Sequence, residues 1–299
     1  MITDTEVADA CCASCGIAEG DEIKLETCNV CKLVQYCSVE CQEDHMPQHE
    51  EACKKRAVEI RDEILFKQPE SNHLGDCPIC FLPLSFDQKK SSMMACCSKL
   101  ICIGCHYAKE IRELDESFEH SCPFCRKRYP KTQKEADTNR MKRVKVKDPV
   151  ALCQTGVKCC HEGDFSKAFE YLTKAADLGY VEAQYQLSGL YHFGHGVEKD
   201  KKREIHHLEE AAIGGHSFAR HYLGCEELEK GRLERAAKHF IIAANLGYDP
   251  SIKMLKSFYA KGIVTKEDFA AALRAYQAAV DATKSPQREA AAEACSNMG

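Results

Sequence analysis

The chain has 299 residues, a formal net charge of −5 and 21 cysteines, sixteen of which lie in the first 125 residues. This length allows roughly two domains or several small ones. The N-terminus lacks the basic flank and apolar core of a signal peptide, and no segment approaches the roughly 18 apolar residues of a membrane span. We therefore expect an intracellular protein, cytoplasmic or nuclear and not secreted. In a reducing compartment, crowded cysteines favour zinc over disulfides.

The first group of metal-ligand candidates follows a tail over residues 1–11. Its spacing is C-x2-C-x12-C-x2-C-x5-C-x3-C-x7-H-x3-C. Two intervening residues let both sulfurs of a tight turn face one ion, and three place both donors on one face of a helix. Eight donors therefore suit two four-coordinate zinc ions. The donors are Cys12, Cys15, Cys28, Cys31, Cys37, Cys41, His49 and Cys53.

With its Tyr-Cys-Ser-x-x-Cys-Gln run at 36–42, the segment 12–53 closely resembles a MYND zinc finger. The resemblance implies docking of short, often proline-containing peptides. It departs from the family at Met46, where a tryptophan is usual, so an aromatic platform for proline is missing. We expect His45 to point outward. The implied zinc sites are interleaved: Cys12, Cys15, Cys37 and Cys41 on one ion, and Cys28, Cys31, His49 and Cys53 on the other.

A second group of donors, at 77–126, follows a helical linker at 54–76. The segments CPIC, ACCSKLICIGC and CPFCR make it resemble a RING-type cross-brace. The resemblance implies one zinc on Cys77, Cys80, Cys102 and Cys105. The other zinc would take Cys122 and Cys125 together with Cys97 and its neighbour Cys96. Adjacent cysteines on one ion are geometrically awkward, and His106 and His120 are less favoured substitutes. About four zinc ions are expected in all.

RING domains hold no catalytic residue, because those that act as ubiquitin ligases recruit a conjugating enzyme that carries the chemistry. The residues suited to that contact are Ile79, Pro123 and Arg126. The alternative is that Ile79 and Pro123 only shape the zinc-binding turns.

Residues 127–147 are expected to form a basic linker helix. The stretch 126–147 has ten basic residues against two acidic ones. Such a block also suits an acidic partner or a nuclear address. Residues 1–60 carry thirteen acidic residues against five basic ones, which disfavours nucleic acid as the partner.

The second half of the chain, 148–280, shows an internal repeat. The segments KAADLGYVEAQYQL, EAAIGGHSFARHYL and IAANLGYDPSIKML align at steps of 36 and 32 residues. Equivalent small residues are Ala151, Ala183, Ala219 and Ser251 in the first helices, and Ala175, Ala211, Ala243 and Ala275 in the second helices. With its GHGVEKD fragment, this half resembles Sel-one-like repeats, which are related to tetratricopeptide repeats. The resemblance implies a solenoid of four helix pairs that presents a concave surface to partners. The histidines here are assigned to helix surfaces or the core, and residues 281–299 to a flexible tail.

The fold class expected is therefore multidomain: two small zinc-stabilised cross-brace modules followed by an all-α solenoid of helix-pair repeats. The sequence contains no phosphate-binding G-x-x-x-x-G-K-[ST], no H-E-x-x-H and no G-x-S-x-G motif. We expect a zinc-binding adaptor without an intrinsic catalytic site, whose partners are proteins or short peptides and not membranes. The alternative is a ubiquitin ligase that recruits a conjugating enzyme and selects its substrate with the first finger and the repeats.

Overall fold

A computed structural model describes residues 11–115 and 119–296. The chain divides after Lys67 into two compact units. The first contains the first group of donors, and the second contains the remaining donors together with the helical repeats. Among the described residues, no helix has both the length and the apolar character needed to cross a membrane.

The first unit is a short hairpin followed by one long helix. Strands β1 (Glu26–Thr27) and β2 (Gln35–Tyr36) pair antiparallel, and helix α1 spans Val39–Leu65. Ser38 caps the helix, since its side chain accepts a hydrogen bond from the Cys41 amide at 3.2 Å. The expected linker helix is therefore a direct continuation of the helix that carries the last donors of the finger.

The second unit begins with a small module built on a hairpin and a helix. Strands β3 (Ser91–Met94) and β4 (Lys99–Cys102) pair antiparallel, with Ser91 opposite Cys102, and helix α2 spans Ile103–Asp115. Leu84, Met94 and Ile101 are buried with the cysteines in its core. Such a core is too small to stabilise a free-standing domain of this size without metal or a neighbour.

Nine further helices precede the C-terminal one within the described part of the chain. The first, α3, covers the basic segment. The eight that follow form the four expected antiparallel pairs, and the second pair is joined by a longer loop at 194–200. Their bounds are α3 Gln133–Lys145, α4 Pro149–His161, α5 Phe165–Asp177, α6 Val181–Phe193, α7 Lys201–Ile213, α8 Ser217–Glu229, α9 Leu233–Asn245, α10 Asp249–Ala260 and α11 Lys266–Ala282.

Small residues bring the repeat helices close together. The aligned residues Ala183, Ala219 and Ser251 are fully buried, as are Ala211 in the second pair and its equivalents in the first and third pairs. The last pair differs from the sequence alignment, because Ala275 is half-buried and Ala272 takes the buried place on α11. The apolar seam therefore runs through all four pairs, with a changed register in the final helix.

The end of the chain differs from the expected flexible tail. Residues Pro286–Ser296 form a helix, α12, which packs against α2 of the small module. Pro286 occupies the first turn, where its missing N–H removes no intrahelical hydrogen bond, and Ala291 is fully buried. The alanine-rich sequence predicts a helix of some kind, but the contact that holds it involves residues far away in the chain.

The small cysteine-rich module of the second unit also lies directly on the repeats. The His73 amide donates to the Gly215 carbonyl at 3.1 Å. The Phe86 ring meets Phe218 and Tyr248 edge-on, with centroids 6.0 and 6.4 Å away. Such edge-to-face pairs stabilise by about 0.5–1.5 kcal/mol beyond their burial. The module is therefore seated on an aromatic surface formed by the first helices of the repeats.

Candidate metal centres

The first cluster brings together Cys12, Cys15, Cys37 and Cys41, whose sulfur atoms lie within 4.8 Å of one another. The Cys15 and Cys37 sulfurs are 3.5 Å apart, and those of Cys37 and Cys41 are 3.6 Å apart. Sulfurs bound tetrahedrally to one zinc at about 2.3 Å would lie about 3.8 Å apart, whereas a disulfide needs about 2.05 Å. The spacing fits a shared zinc ion and excludes disulfides in this conformation.

The second cluster is fully buried and combines one imidazole with three sulfurs. It contains Cys28, Cys31, His49 and Cys53, again within 4.8 Å. The Cys28 and Cys53 sulfurs are 3.8 Å apart, and Cys31 Sγ lies 3.2 Å from His49 Nε2. His49 and Cys53 share one face of α1 because they are four residues apart. This donor set also fits one tetrahedral zinc.

His45 supports the second cluster and does not point outward as expected. Its ring stacks on His49 with centroids 5.6 Å apart, and its Nδ1 lies 3.0 Å from the hydroxyl of Tyr36. Tyr36 is buried, and burial together with the nearby thiolates raises its pKa. The Tyr36–His45 pair therefore fixes the plane of the His49 ring. The only sequence signal for this contact is the i, i+4 spacing of the two histidines.

The third cluster contains Cys77, Cys80, Cys102 and Cys105. The Cys80 and Cys102 sulfurs are 3.8 Å apart. Backbone amides point at the sulfurs: Cys102 N lies 3.4 Å from Cys77 Sγ, and Cys105 N lies 3.4 Å from Cys102 Sγ. Burial opposes ionisation of Cys80, but the Leu82 amide and Arg288 outweigh it and lower its pKa to about 7. Burial raises the pKa of Cys102 and of Cys105, so Cys80 is the donor that Arg288 and the Leu82 amide favour as a thiolate.

The fourth cluster brings together Cys96, Cys97, Cys122 and Cys125. The Cys97 and Cys122 sulfurs are 3.6 Å apart, and those of Cys125 and Cys96 are 3.2 Å apart. Successive side chains in a strand would point to opposite faces. Residues 95–98, however, form the tight turn between β3 and β4, where the Ser98 amide donates to the Met94 carbonyl at 2.8 Å. Because the chain turns here, the sulfurs of the adjacent residues Cys96 and Cys97 can both reach the same cluster.

The two histidines weighed as substitutes in the fourth cluster bind elsewhere. His106 Nδ1 lies 3.4 Å from a Glu110 oxygen, and His120 Nδ1 lies 2.9 Å from a Glu113 oxygen. Both rings are thus held by carboxylates of α2. The structure does not bring either imidazole into the cluster of sulfurs.

The C-x2-C turns at 77–80 and 122–125 share one backbone conformation. Phe81 and Arg126 follow the second cysteine of their turns, and each has a φ of 57°. Their amides donate to the carbonyls of Cys77 and Cys122 at 2.8 and 3.0 Å. A left-handed backbone costs a non-glycine residue about 1–2 kcal/mol. The turn itself therefore determines where the exposed Arg126 side chain stands.

The residues suited to a conjugating enzyme lie at the surface of the module. The Ile79 side chain is 40% exposed, Arg126 is exposed, and Pro123 is half-buried. Sequence reasoning missed Phe81, which lies two residues after Ile79 and is 75% exposed. Ile79, Phe81 and Pro123 offer apolar contact area, and Arg126 adds a cation beside it.

A fifth group of titratable side chains joins the module to the repeats. Nε2 of His73 and Nε2 of His216 lie 3.4 and 3.2 Å from the same Glu182 oxygen, and the two rings stack at 4.0 Å. Burial opposes ionisation of Glu182, but hydrogen bonds from His216 and His73 outweigh it and hold its pKa well below the ordinary value. Sequence reasoning missed this contact of His216, because its partners come from two distant segments.

This fifth group is a hydrogen-bonded clasp and not a metal site. The Ala219 amide donates to His216 Nδ1 at 3.2 Å, which caps α8. In the neutral ring, Nε2 therefore carries the hydrogen and donates it to Glu182. The protonated Nε2 of His216 has no lone pair free to bind a metal unless the hydrogen bond from the Ala219 amide to Nδ1 is broken.

Comparison with protein families assigns two of the parts. Residues 12–53 match the model of the MYND finger, and residues 149–180, 181–216 and 217–248 match the Sel1 repeat. The chain contains a MYND finger and three Sel1 repeats. The predicted finger and repeats are thereby confirmed, and the fourth helix pair, α10 and α11, continues the solenoid beyond the matched residues.

Curated relatives cover only part of the chain. It is 26% identical over 174 residues to the mouse protein named DAP3-binding cell death enhancer 1, covering 45% of this chain and 34% of the relative. The rat protein of that name is 24% identical over 195 residues, covering 52% and 38%. Putative beta-lactamase HcpC of Helicobacter pylori is 43% identical over 56 residues, 19% of each chain. The chain thus spans less than two fifths of the length of these relatives.

Among solved structures, a Sel1 repeat protein from Oxalobacter formigenes is similar to this chain. The TM-score is 0.45 at 26% identity, and the match covers 57% of this chain and 51% of the other.

MYND fingers and Sel1 repeats are both protein-interaction modules, and the MYND finger is a zinc-binding one. The coarse description is therefore a zinc-binding protein built from interaction modules.

Proposed function

We propose that the protein is a zinc-dependent adaptor that binds protein partners through its MYND finger, its RING-like module and its helical repeats. The observation that carries the proposal is the closed geometry of the metal centres. Each of the four clusters supplies four protein donors within 4.8 Å of one another. Catalytic zinc keeps one coordination position open, whereas structural zinc has four protein ligands. The zinc ions would therefore stabilise binding surfaces.

The donor sets support about four zinc ions per chain. Two would lie in the MYND finger, and one or two in the RING-like module. In each cluster of sulfurs, the metal would hold together segments that are far apart in sequence. Because these modules have small cores, loss of the metal would unfold their surfaces.

The MYND finger supplies a surface for a short peptide. Val30, Leu33 and Val39 are exposed large apolar side chains around its donor turns. Met46 stands where an aromatic platform is usual and is half-buried. A thioether adapts to irregular apolar partners, which supports a peptide ligand with aliphatic side chains over one that depends on proline stacking.

The repeats supply a second surface. Tyr222 on α8 is 51% exposed and lies beside Tyr185 with ring centroids 6.3 Å apart. Exposed tyrosines give large contact areas at low entropic cost. The rodent relatives are named for binding DAP3, so purified DAP3 is the first candidate partner to test.

The test is quantitative affinity capture with the full zinc-loaded chain and two variants. Cys31→Ser removes a ligand of the MYND finger, and Tyr222→Ser changes the repeat surface. Cys11→Ser, in an exposed cysteine outside the clusters, is the matched control. We expect each of the first two variants to lose its own subset of partners, and calorimetry with each purified partner to reproduce the loss. Partner sets unaffected by both variants would contradict the adaptor proposal.

A second candidate function is ubiquitin ligation, favoured by the exposure of Ile79. The test is autoubiquitination by the full chain with a panel of conjugating enzymes. Ile79→Ala should abolish the activity, while Ile17→Ala, which changes a similarly exposed isoleucine in the MYND finger, should retain it. Silence of the zinc-loaded wild type across the panel would remove this candidate.

A further inference from the structure

Arg288, in the C-terminal helix α12, reaches the third cluster. Its side chain lies 208 residues from Cys80 in the sequence, and the residue is only 9% exposed. A charged side chain is seldom buried unless it is paired, and the pairing here is through Nη1 and Nη2, since Nε has no hydrogen-bond partner. The partners of Arg288 therefore indicate what the residue does.

The guanidinium of Arg288 holds the first donor turn of the cluster. Nη2 donates to Cys80 Sγ at 3.4 Å and to the Leu82 carbonyl at 3.0 Å. Nη1 donates to the Pro83 carbonyl at 2.6 Å and to the Thr283 carbonyl at 2.8 Å. Three of these four bonds go to the segment that begins with a zinc ligand. The planar fork of arginine can serve several such acceptors at once, whereas an ammonium group is a single point of charge.

The backbone of Arg288 packs on the second donor turn of the same cluster. Gly104 lies between the ligands Cys102 and Cys105. A Cβ atom at Gly104 would lie 2.9 Å from N, Cα and Cγ of Arg288. The glycine therefore leaves the space into which α12 fits. One residue of α12 thus touches both halves of the cross-brace that would hold this zinc.

The charges at the site match this arrangement. A zinc ion with four thiolates carries a net charge of −2, and the cluster is largely buried. A hydrogen bond from a buried cation stabilises a thiolate ligand and fixes its orientation. The Pro83 and Leu82 carbonyls are fixed at the same time, so the turn that presents Cys80 is held from outside.

We propose that Arg288 is a positioning residue of the third cluster and that α12 is required for this site to retain its zinc. The inference rests on the proposed zinc occupancy of that cluster. It makes the RING-like module a composite of residues 77–126 and the C-terminal helix. A partner that bound to the same face of α2 would have to displace α12.

The test compares zinc release from the full chain and from Arg288→Met. Methionine keeps an apolar stem against Gly104 and removes every donor. Loss of such outer contacts typically lowers metal affinity 10–100-fold, so we expect one zinc per chain to pass to a chromogenic chelator roughly 10–100-fold faster. Lys284→Met, in an exposed lysine on the turn before α12, is the control and should release zinc at the wild-type rate.

A cadmium-substituted chain identifies the site, because cadmium NMR gives one resonance for each cluster. We expect Arg288→Met to shift only one resonance, and the same one that Cys80→Ser removes. Arg288→Lys keeps the cation and should have an intermediate rate; it also decides the outcome if Arg288→Met fails to fold. Wild-type release from the variants would overturn the inference, as would equal acceleration at both sites of the module. A wild-type chain without the Cys80-dependent resonance would instead overturn the proposed zinc content.

Discussion

Replacing Gly215 by alanine tests how firmly the RING-like module is seated on the repeats. Gly215 has a φ of +84°, and a Cβ there would lie 2.5 Å from the Ser71 carbonyl oxygen. Gly179 occupies the equivalent position in the preceding repeat, has a φ of +78° and has no neighbouring atom within 4 Å of such a Cβ. The two glycines thus share the backbone conformation and differ in their contact with the module.

The expected magnitudes follow from this difference. Alanine in the left-handed region costs about 1–2 kcal/mol, partly offset by a stiffer unfolded chain, so Gly179→Ala should destabilise by about 1 kcal/mol. Gly215→Ala pays the same conformational cost and also overlaps a backbone oxygen that cannot move alone. Overpacking of this kind costs about 1–3 kcal/mol more. The expected total is about 2–4 kcal/mol.

The assay combines urea denaturation, followed by far-UV circular dichroism, with amide hydrogen exchange. The His73 amide donates to the Gly215 carbonyl at 3.1 Å, so its exchange should be faster in Gly215→Ala and unchanged in Gly179→Ala. Equal free energies of unfolding in the two variants, with His73 equally protected, would refute the reasoning.

Three further predictions concern single residues. Cys97→Ser should lower the zinc content by one ion per chain, whereas Cys11→Ser should leave it unchanged, as measured by elemental analysis. Burial lowers the pKa of His239 to about 3, so the unfolded chain takes up the proton first as the pH falls. The free energy of unfolding should therefore decrease below about pH 6.5, by about 2 kcal/mol at pH 5. Denaturation at several pH values should show a smaller decrease in His239→Gln than in the wild type, and equal decreases would contradict this. Arg126→Gly should be about 0.5–1 kcal/mol more stable to heat than Arg126→Ala, because glycine accepts the left-handed backbone; identical melting temperatures would contradict this.

The grouping of the donors and the repeats could be predicted because their signals are local. Zinc-binding turns need two cysteines at fixed short spacing, and stacked helix pairs need small residues at a regular period. Cys96 and Cys97 were predicted as a pair from their place in the cross-brace, and the turn between β3 and β4 explains how both sulfurs reach one point. That each cluster holds zinc stays a prediction.

Other features could not be predicted because their partners are distant in sequence. Arg288 lies in an alanine-rich segment that predicts a helix without indicating any contact. Its role depends on Gly104, whose missing side chain has no signal of its own. The clasp of His73, Glu182 and His216 likewise joins three separate elements. Contacts of this kind depend on how finished modules fit together, which spacing along the chain does not specify.

Native mass spectrometry of the full zinc-loaded chain tests the central claim most directly. The four clusters each offer four donors within 4.8 Å, so the folded protein should carry four zinc ions and lose its partners when these are removed. Three ions would mean that the fourth cluster, with Cys96 and Cys97, is not a zinc site. A folded chain that binds its partners without zinc would contradict the account.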